Sequence, residues 1–458
     1  MSDYNDSPSG PKNSKVLGKI KSSLFERTLS VAKIGLNAGL KYAAHKASGQ
    51  SNEQFLTNQA TYLSQELGEL KGSLMKAGQM LSMYGEYFFP PQANEWLKKL
   101  QTDSPPVEWS VIKSYLESYF DADLLDELEI EPKAVGTASM GQVHRAKIKA
   151  TGEKIALKIQ YPHLDKAIDS DIKALKTLLG LAKILPDGLN LDPVFEEIKS
   201  MLRQELDYCF EAKQTQKYYA LVGQDSRFVV PRVYERYSNA KVLATEFIDG
   251  LKADHPLVAA LSDQRRNRIA ENFIDLYFKE LFSWNFIQTD PHLGNYKIQI
   301  DPLGQDRIVL LDFGACREFP EDFMKSYRGL IKGSIIYDRD LFMQSAKNLG
   351  FIIDSDSEEY IKTFESFCYE TVEPFWSAQD PRNINQKINH DGLYHWKETD
   401  LPSRVVKKAF QFKNFDLRTP PQNILFLDRK TGGVFIFLSV LKARINARNI
   451  VDPYLNSF

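Results

Sequence analysis

Two short segments of this 458-residue chain carry side chains suited to phosphate chemistry. The first is Gln288-Thr289-Asp290-Pro291-His292-Leu293-Gly294-Asn295, and the second is Leu311-Asp312-Phe313-Gly314. A carboxylate followed five residues later by an asparagine, with another aspartate downstream, offers hard oxygen ligands to Mg2+ on a triphosphate. It also leaves one carboxylate to meet an attacking hydroxyl or water. Asn295 and Asp312 are the metal candidates, and Asp290 is the candidate base. His292 reads as a loop-orienting side chain, since no histidine spacing in the chain suits zinc.

Kinases use the same spacing for the same roles, with a phosphate loop and a lysine ahead of it. Val135-Gly136-Thr137-Ala138-Ser139-Met140-Gly141-Gln142 is rich in small residues, which lets backbone N–H groups approach phosphate oxygens. Gly136, Thr137, Ala138, Ser139 and Gln142 are therefore nucleotide-binding candidates. Lys158 shares a strand face with Ala156, so a small residue leaves room for adenine while the lysine reaches phosphates. Glu246 and Phe247, ending a buried strand expected over 241–247, complete the nucleotide set.

A phosphate-reaching lysine needs a carboxylate to hold it. Two charges about 4 Å apart attract by roughly 4 kcal/mol at an effective dielectric near 20. The acidic segment offers Glu205, Asp207 and Glu211. On a continuous helix, at about 100° per residue, Asp207 lies about 40° from Glu211 and Glu205 about 120° from it. Glu211 is assigned to Lys158, joining Asp290 and Lys158 in the catalytic set, and Glu205 is left to face another element.

These residues need elements to carry them. A period of four and three through Leu63, Leu67, Leu70, Leu74, Ala77 and Leu81 marks one buried helical stripe, with Lys76 and Gln79 beside it. Alternation over 143–149 and 154–160 around Ala150-Thr151-Gly152-Glu153 predicts a β-hairpin. Helical patterns follow over 164–184 and 193–220, and short strands are expected over 296–300 and 308–311. The fold class is α+β, a protein-kinase-like two-lobe fold with an N-terminal helical extension. The expected divisions are a disordered tail and basic amphipathic helix over 1–50, the extension over 51–130, an N-lobe over 131–250 and a helical C-lobe over 251–458. Residues 354–417 read as helical decoration of that lobe, lining a substrate cavity.

A net charge of −2 and a pI near 6.4 exclude the broad basic surface of a nucleic-acid binder. Cys209, Cys316 and Cys368 form no closely spaced pair and read as free thiols in a reducing compartment. The first residues lack a secretory signal's apolar core, and the apolar run 434–441 is far short of the roughly 20 residues of a spanning helix. The expected location is cytoplasmic, with peripheral attachment at most. Such attachment would use the basic stretch 14–46, where seven lysines and arginines face the single acid Glu26, on an anionic membrane.

With these residues placed, the chain resembles the AarF/UbiB family of atypical kinases over about 67–441. Lys76-Ala77-Gly78-Gln79 matches the family's KxGQ motif and Glu205-Leu206-Asp207 its ExD motif. The resemblance implies that the KxGQ helix covers the active site, with its lysine on the ExD acid, so Lys76, Gln79, Glu205 and Asp207 become regulatory or occluding candidates. It also implies ATP or ADP with Mg2+, ATPase or small-molecule kinase activity, and a lipid or isoprenoid partner in ubiquinone or related metabolism. The other readings are a nucleotide-gated scaffold or lipid-binding protein, and a conventional protein kinase. The last is disfavoured by the KxGQ helix and the short segment after Asp312. Where the family has an alanine-rich phosphate loop, this chain reads Gly136-Thr137-Ala138-Ser139, which bears on the choice between ATP and ADP.

Overall fold

In the computed structural model, residues 73–88, 106–138, 140–181, 192–409, 411–412, 415 and 422–457 are described. The basic stretch 14–46, the stripe positions Leu63, Leu67 and Leu70, and Ser139 lie outside them. The chain divides into two compact units, 1–213 with 232–247, and 214–231 with 248–458.

The first unit is built on a four-stranded antiparallel sheet. Strands β1 (Leu128–Ala138), β2 (Gly141–Ile148) and β3 (Lys154–Gln160) pair in order, and Val242–Glu246 adds to β3. Gly152 closes the expected β2–β3 turn at φ +77°, a conformation costly to any residue with a Cβ. Along β3, Ile155, Leu157 and Ile159 are at most 1% exposed, and Ala156 and Lys158 emerge on the other face. Burying three such side chains contributes about 1.5–3 kcal/mol each and fixes which way Lys158 points.

Helix Ser73–Phe88 packs on helices Leu164–Leu181 and Asp192–Glu205 through Leu74, Ala77 and Leu81, each 1% exposed or less. Ser73 Oγ donates to the buried carboxylate of Asp171, anchoring the start of this helix. The single helical pattern expected over 193–220 is instead two helices, Asp192–Glu205 and Tyr208–Val222. Asp207 makes the break: its Oδ1 accepts the Phe210 N–H at 3.0 Å and its carbonyl accepts the Glu211 N–H, so it caps the second helix.

Among the described residues the second unit holds, besides a short pairing of Tyr394–His395 with Arg444–Ile445, two small sheets that carry the candidate loops. One runs Phe228–Val229, Arg307–Leu310, Tyr296–Gln299, Leu251–Lys252, with the first pair parallel. In the other, Phe286–Gln288 pairs antiparallel with Cys316–Glu318. These ladders are nested: Gln288 faces Cys316 and Tyr296 faces Leu310. The two intervening loops, 289–295 and 311–315, are thereby held side by side.

Around them pack helices Asp263–Lys279, Glu321–Ile336, Arg339–Asn348, Glu358–Thr371, Gln422–Val440 and Ala447–Asn456. The helix Asp263–Lys279 widens into π-helical geometry over Glu280–Trp284, a distortion common at functional sites. The segment 354–417 is less helical than expected. Between Glu358–Thr371 and Leu401–Ala409 it contains irregular chain fastened by Arg382, which donates to Asp380 and to the carbonyls of Ser334 and Ile335.

Candidate functional site

In the first unit, Lys158 Nζ donates to both oxygens of Glu211, at 2.7 and 2.8 Å. The carboxylate is 3% exposed and the lysine 17%, so little water competes for the pair. The Tyr208 ring lies 5.3 Å from the same ammonium, within cation–π reach. Glu205 pairs elsewhere, with Lys76 Nζ at 2.9 Å. The two acids diverge because the chain bends between their helices at Leu206-Asp207, rather than by their angle around one helix. That bend is fastened from β3, where Gln160 Nε2 donates to the Leu206 carbonyl at 2.9 Å and its Oε1 accepts from Lys241. Gln79 is half-buried on the Lys76 helix, and Asp207 is exposed at its capping position.

Gly136, Thr137 and Ala138 end β1 opposite Val143, Gln142 and Gly141. A Cβ on Gly141 would stand 2.4 Å from the Ile159 carbonyl oxygen, which rules out any side chain there. At Gly136 the nearest atom would be 3.9 Å away, an ordinary contact. Gln142 is fully buried, and its amide is engaged: Oε1 accepts the Val107 N–H at 2.8 Å, and Nε2 faces the Val107 carbonyl and His144 Nε2. Burial holds the His144 imidazole below its usual pKa, and Nδ1–H donates to the Glu131 carbonyl. Glu246 Oε2 accepts from Arg232 at 3.4 Å, and the Arg145 guanidinium lies 4.3 Å from the Phe247 ring centre.

In the second unit the loops are tied through their main chains. Asn295 Nδ2 donates to the Asp290 carbonyl at 2.9 Å, and Asp312 Oδ1 accepts the Gly314 N–H at 3.1 Å. Gln288 Nε2 reaches both the Asp290 and the Asp312 carbonyls, while Thr289 Oγ1 donates to the Ala315 carbonyl. His292 Nδ1 accepts the Gly294 N–H, the orienting role expected of it. The Asp290 carboxylate accepts from Arg429 Nη2 at 2.5 Å.

Behind the loops sits Glu280, fully buried on the π-helical turn. Its Oε1 accepts from the Tyr218 hydroxyl at 2.8 Å and the Gln288 N–H at 3.0 Å, and its Oε2 pairs with Lys430 at 2.6 Å. Burial pushes the Tyr218 and Tyr296 phenols well above their usual range, so both remain donors. Arg429, Lys430 and Gly433 lie on helix Gln422–Val440. A Cβ at Gly433 would stand 2.2 Å from Pro291 Cγ, so this helix rests directly on the Asp290 loop. Sequence reading missed Gln160, Tyr208, Glu280, Gln288, Arg429 and Lys430. The Gly432-Gly433 pair inside an apolar helical run was the available signal of close packing.

Among the described residues, no three His, Cys, Asp or Glu side chains are grouped to hold a metal by themselves. One carboxylate and one amide oxygen, Asp312 and Asn295, fit a Mg2+ ion that arrives already coordinated by phosphates.

A lysine clamped by a helix carboxylate, with a DxxxxN loop tied to Asp-Phe-Gly, is the chemistry of a kinase-like enzyme. The chain belongs to the ABC1 atypical kinase-like domain family, whose profile matches residues 99–346. Lys76 precedes that range, and Lys158, Glu205, Glu211, Asp290, Asn295 and Asp312 fall within it. The chain is 31% identical over 397 residues to the zebrafish (Danio rerio) protein named atypical kinase COQ8B, mitochondrial, covering 86% of this chain and 60% of that protein. It is 26% identical over 445 residues to the Saccharomyces cerevisiae protein named atypical kinase COQ8, mitochondrial, covering 96% and 85%. Among solved structures, that of the Rv3197–erythromycin complex from Mycobacterium tuberculosis matches with a TM-score of 0.57 at 25% identity, covering 87% of this chain and 96% of that one. Among the described residues no helix is long and apolar enough to cross a membrane.

Proposed function

We propose that this chain binds ATP or ADP with Mg2+ and either hydrolyses the nucleotide or transfers phosphate to a small lipid-like acceptor. The observation that carries the reading is the two-pronged Lys158–Glu211 pair, which keeps an ammonium extended from β3 with its charge retained for phosphate oxygens. Gly136, Thr137, Ala138, Ser139, Glu246 and Phe247 form the rest of the nucleotide set, with the main chain of the β1–β2 turn serving the phosphates; Gln142, expected in that set, is instead buried with its amide spent on Val107 and His144. Asn295 and Asp312 would hold the metal, which when bound neutralises charge on the transferring phosphoryl group. Asp290 receives the proton of the attacking hydroxyl or water, with Arg429 orienting its carboxylate.

Lys76, Gln79, Glu205 and Asp207 are the regulatory elements of this reading, and protein substrates are excluded. The Lys76–Glu205 pair and the Ser73–Asp171 bond support that role by fixing the KxGQ helix within its own unit. The names of the zebrafish and yeast relatives support a place in ubiquinone or other isoprenoid-lipid metabolism. A second reading, a nucleotide-gated binder of lipids or other small molecules, draws support from the erythromycin complex of the structural neighbour.

Nucleotide-dependent thermal shift and phosphate release, with and without anionic liposomes, test both readings. The enzymatic one expects Mg2+-dependent release that Asp290→Asn abolishes and Lys76→Ala alters. Nucleotide binding without release, unchanged by Asp290→Asn, would leave only the binding reading. Robust labelling of a generic protein substrate would overturn the exclusion of proteins.

A further inference from the structure

Gln288 stands two residues before Asp290 and is 4% exposed. Its Nε2 donates to the Asp290 carbonyl at 2.8 Å and to the Asp312 carbonyl at 3.3 Å. One side-chain amide thus spends both its N–H groups on the main chains of the two aspartates that carry the phosphate chemistry. The amide is itself oriented from behind. Oε1 accepts the Tyr296 hydroxyl at 3.2 Å, and the Gln288 main-chain N–H donates to the buried Glu280 carboxylate at 3.0 Å. Turning the amide over would aim its oxygen at two carbonyl oxygens, so its direction is determined.

The Asp290 carbonyl is also where Asn295 Nδ2 donates, at 2.9 Å. That bond decides which way the Asn295 Oδ1 faces, and the carbonyl receiving it is held by Gln288. The same amide therefore bears on both metal candidates, Asn295 through the Asp290 carbonyl and Asp312 directly. We propose that Gln288 is the positioning residue that sets the spacing of Asp290, Asn295 and Asp312, and through it the affinity of the site for a divalent ion. This rests on the Mg–nucleotide reading above and adds a residue that does not itself touch metal or phosphate. Partners that orient metal ligands are typically worth about 10- to 100-fold in affinity.

The test is a Mn2+ titration of the intact chain in the presence of ADP, followed by electron paramagnetic resonance, on wild type, Gln288→Met and Tyr296→Phe. Gln288→Met keeps length and apolar bulk but donates nothing. It should raise the half-saturating Mn2+ concentration about 10- to 100-fold. It should leave the thermal shift given by ADP without metal unchanged, because Lys158 and Glu211 are untouched. Tyr296→Phe removes only the anchor of the amide and should weaken Mn2+ about 2- to 10-fold. It decides the matter if the methionine variant does not fold. Metal-free shifts that fall together with Mn2+ affinity would mark a purely structural role and overturn the proposal. So would a folded Gln288→Met, or failing that Tyr296→Phe, within twofold of wild type for Mn2+. Wild type that binds no Mn2+ with ADP overturns the nucleotide reading and this proposal together, whereas normal wild-type binding with unaffected variants overturns this one alone.

Discussion

The candidate site residues of the two units are held in different ways. In the first unit the motifs hold each other: Lys158 takes Glu211, Lys76 takes Glu205, and each charge is partnered by a residue of another motif. In the second unit Asp290, Asn295 and Asp312 are held largely by Gln288, which heads their own segment without a role assigned from sequence, and by Glu280, Lys430 and Arg429, which belong to no motif. Glu205 keeps 23% of its side chain exposed, whereas Glu280 and Lys430 keep 0% and 3%. In the first arrangement Glu205 keeps one carboxylate partly in water, whereas the second buries both charges of the Glu280–Lys430 pair as scaffold.

The largest effect should come from breaking the deeper pair. Lys430→Met leaves the Glu280 carboxylate buried without its cation, a loss of about 3–5 kcal/mol. Lys76→Met leaves Glu205 within reach of water and should cost about 1–2 kcal/mol. Chemical denaturation of the two variants beside wild type compares them directly. A greater loss from Lys76→Met than from Lys430→Met would reverse the contrast between the units.

Next in size is Gly433→Ala. The added methyl would meet Pro291 carbon atoms at 2.2 and 2.3 Å, and Pro291 directly follows Asp290. Overpacking of this kind costs about 1–3 kcal/mol. Because the strain falls on the loop of the candidate base, phosphate release should drop more than stability alone explains. Full activity in a folded Gly433→Ala chain would show that the loop yields without consequence.

How much was legible follows the same division. The β2–β3 hairpin, the face carrying Lys158 and the spacing of Asp290, Asn295 and Asp312 are written in local periodicity and local order. The sorting of Glu205 from Glu211 was reached on the premise of one continuous helix, while the actual cause is the Asp207 cap, a preference that a local pattern can state but that the apolar periodicity outweighed. The scaffold of the second unit was not legible. Lys430 and Glu280 are 150 positions apart, and an acid in a helical run gives no sign that a π-turn will direct it inward.

A smaller, pH-dependent effect separates the units again. His144 is fully buried against Gln142 and the Glu131 carbonyl, and burial lowers its pKa in the folded chain. The unfolded chain takes up a proton near the ordinary value of about 6.5 while the folded chain still resists. Stability from this group is therefore complete above about pH 6.5 and is lost as pH falls toward the depressed folded value. The melting temperature of wild type should decline between pH 7 and pH 5.5 more steeply than that of His144→Gln. Parallel declines would remove His144 from the account.

The smallest structural effect belongs to Gly136→Ala, and its value lies in separating stability from selectivity. Gly136 has no positive φ, and an added Cβ would meet only Val143 Cβ at 3.9 Å, so the fold should tolerate it within about 0.5 kcal/mol or gain slightly from reduced freedom of the unfolded chain. The residue ends the strand beside the β1–β2 turn, where main-chain N–H groups are proposed to meet phosphate, and a methyl there stiffens the approach without touching Lys158, Glu211 or the metal candidates. Thermal shifts with ADP and with ATP should therefore change relative to each other while the melting temperature of the free protein stays put. If the ratio of the two shifts does not move, selectivity between the nucleotides is not set at this end of β1, and the second unit, where the phosphates and metal would be sorted by Asn295 and Asp312, becomes the place to look for it.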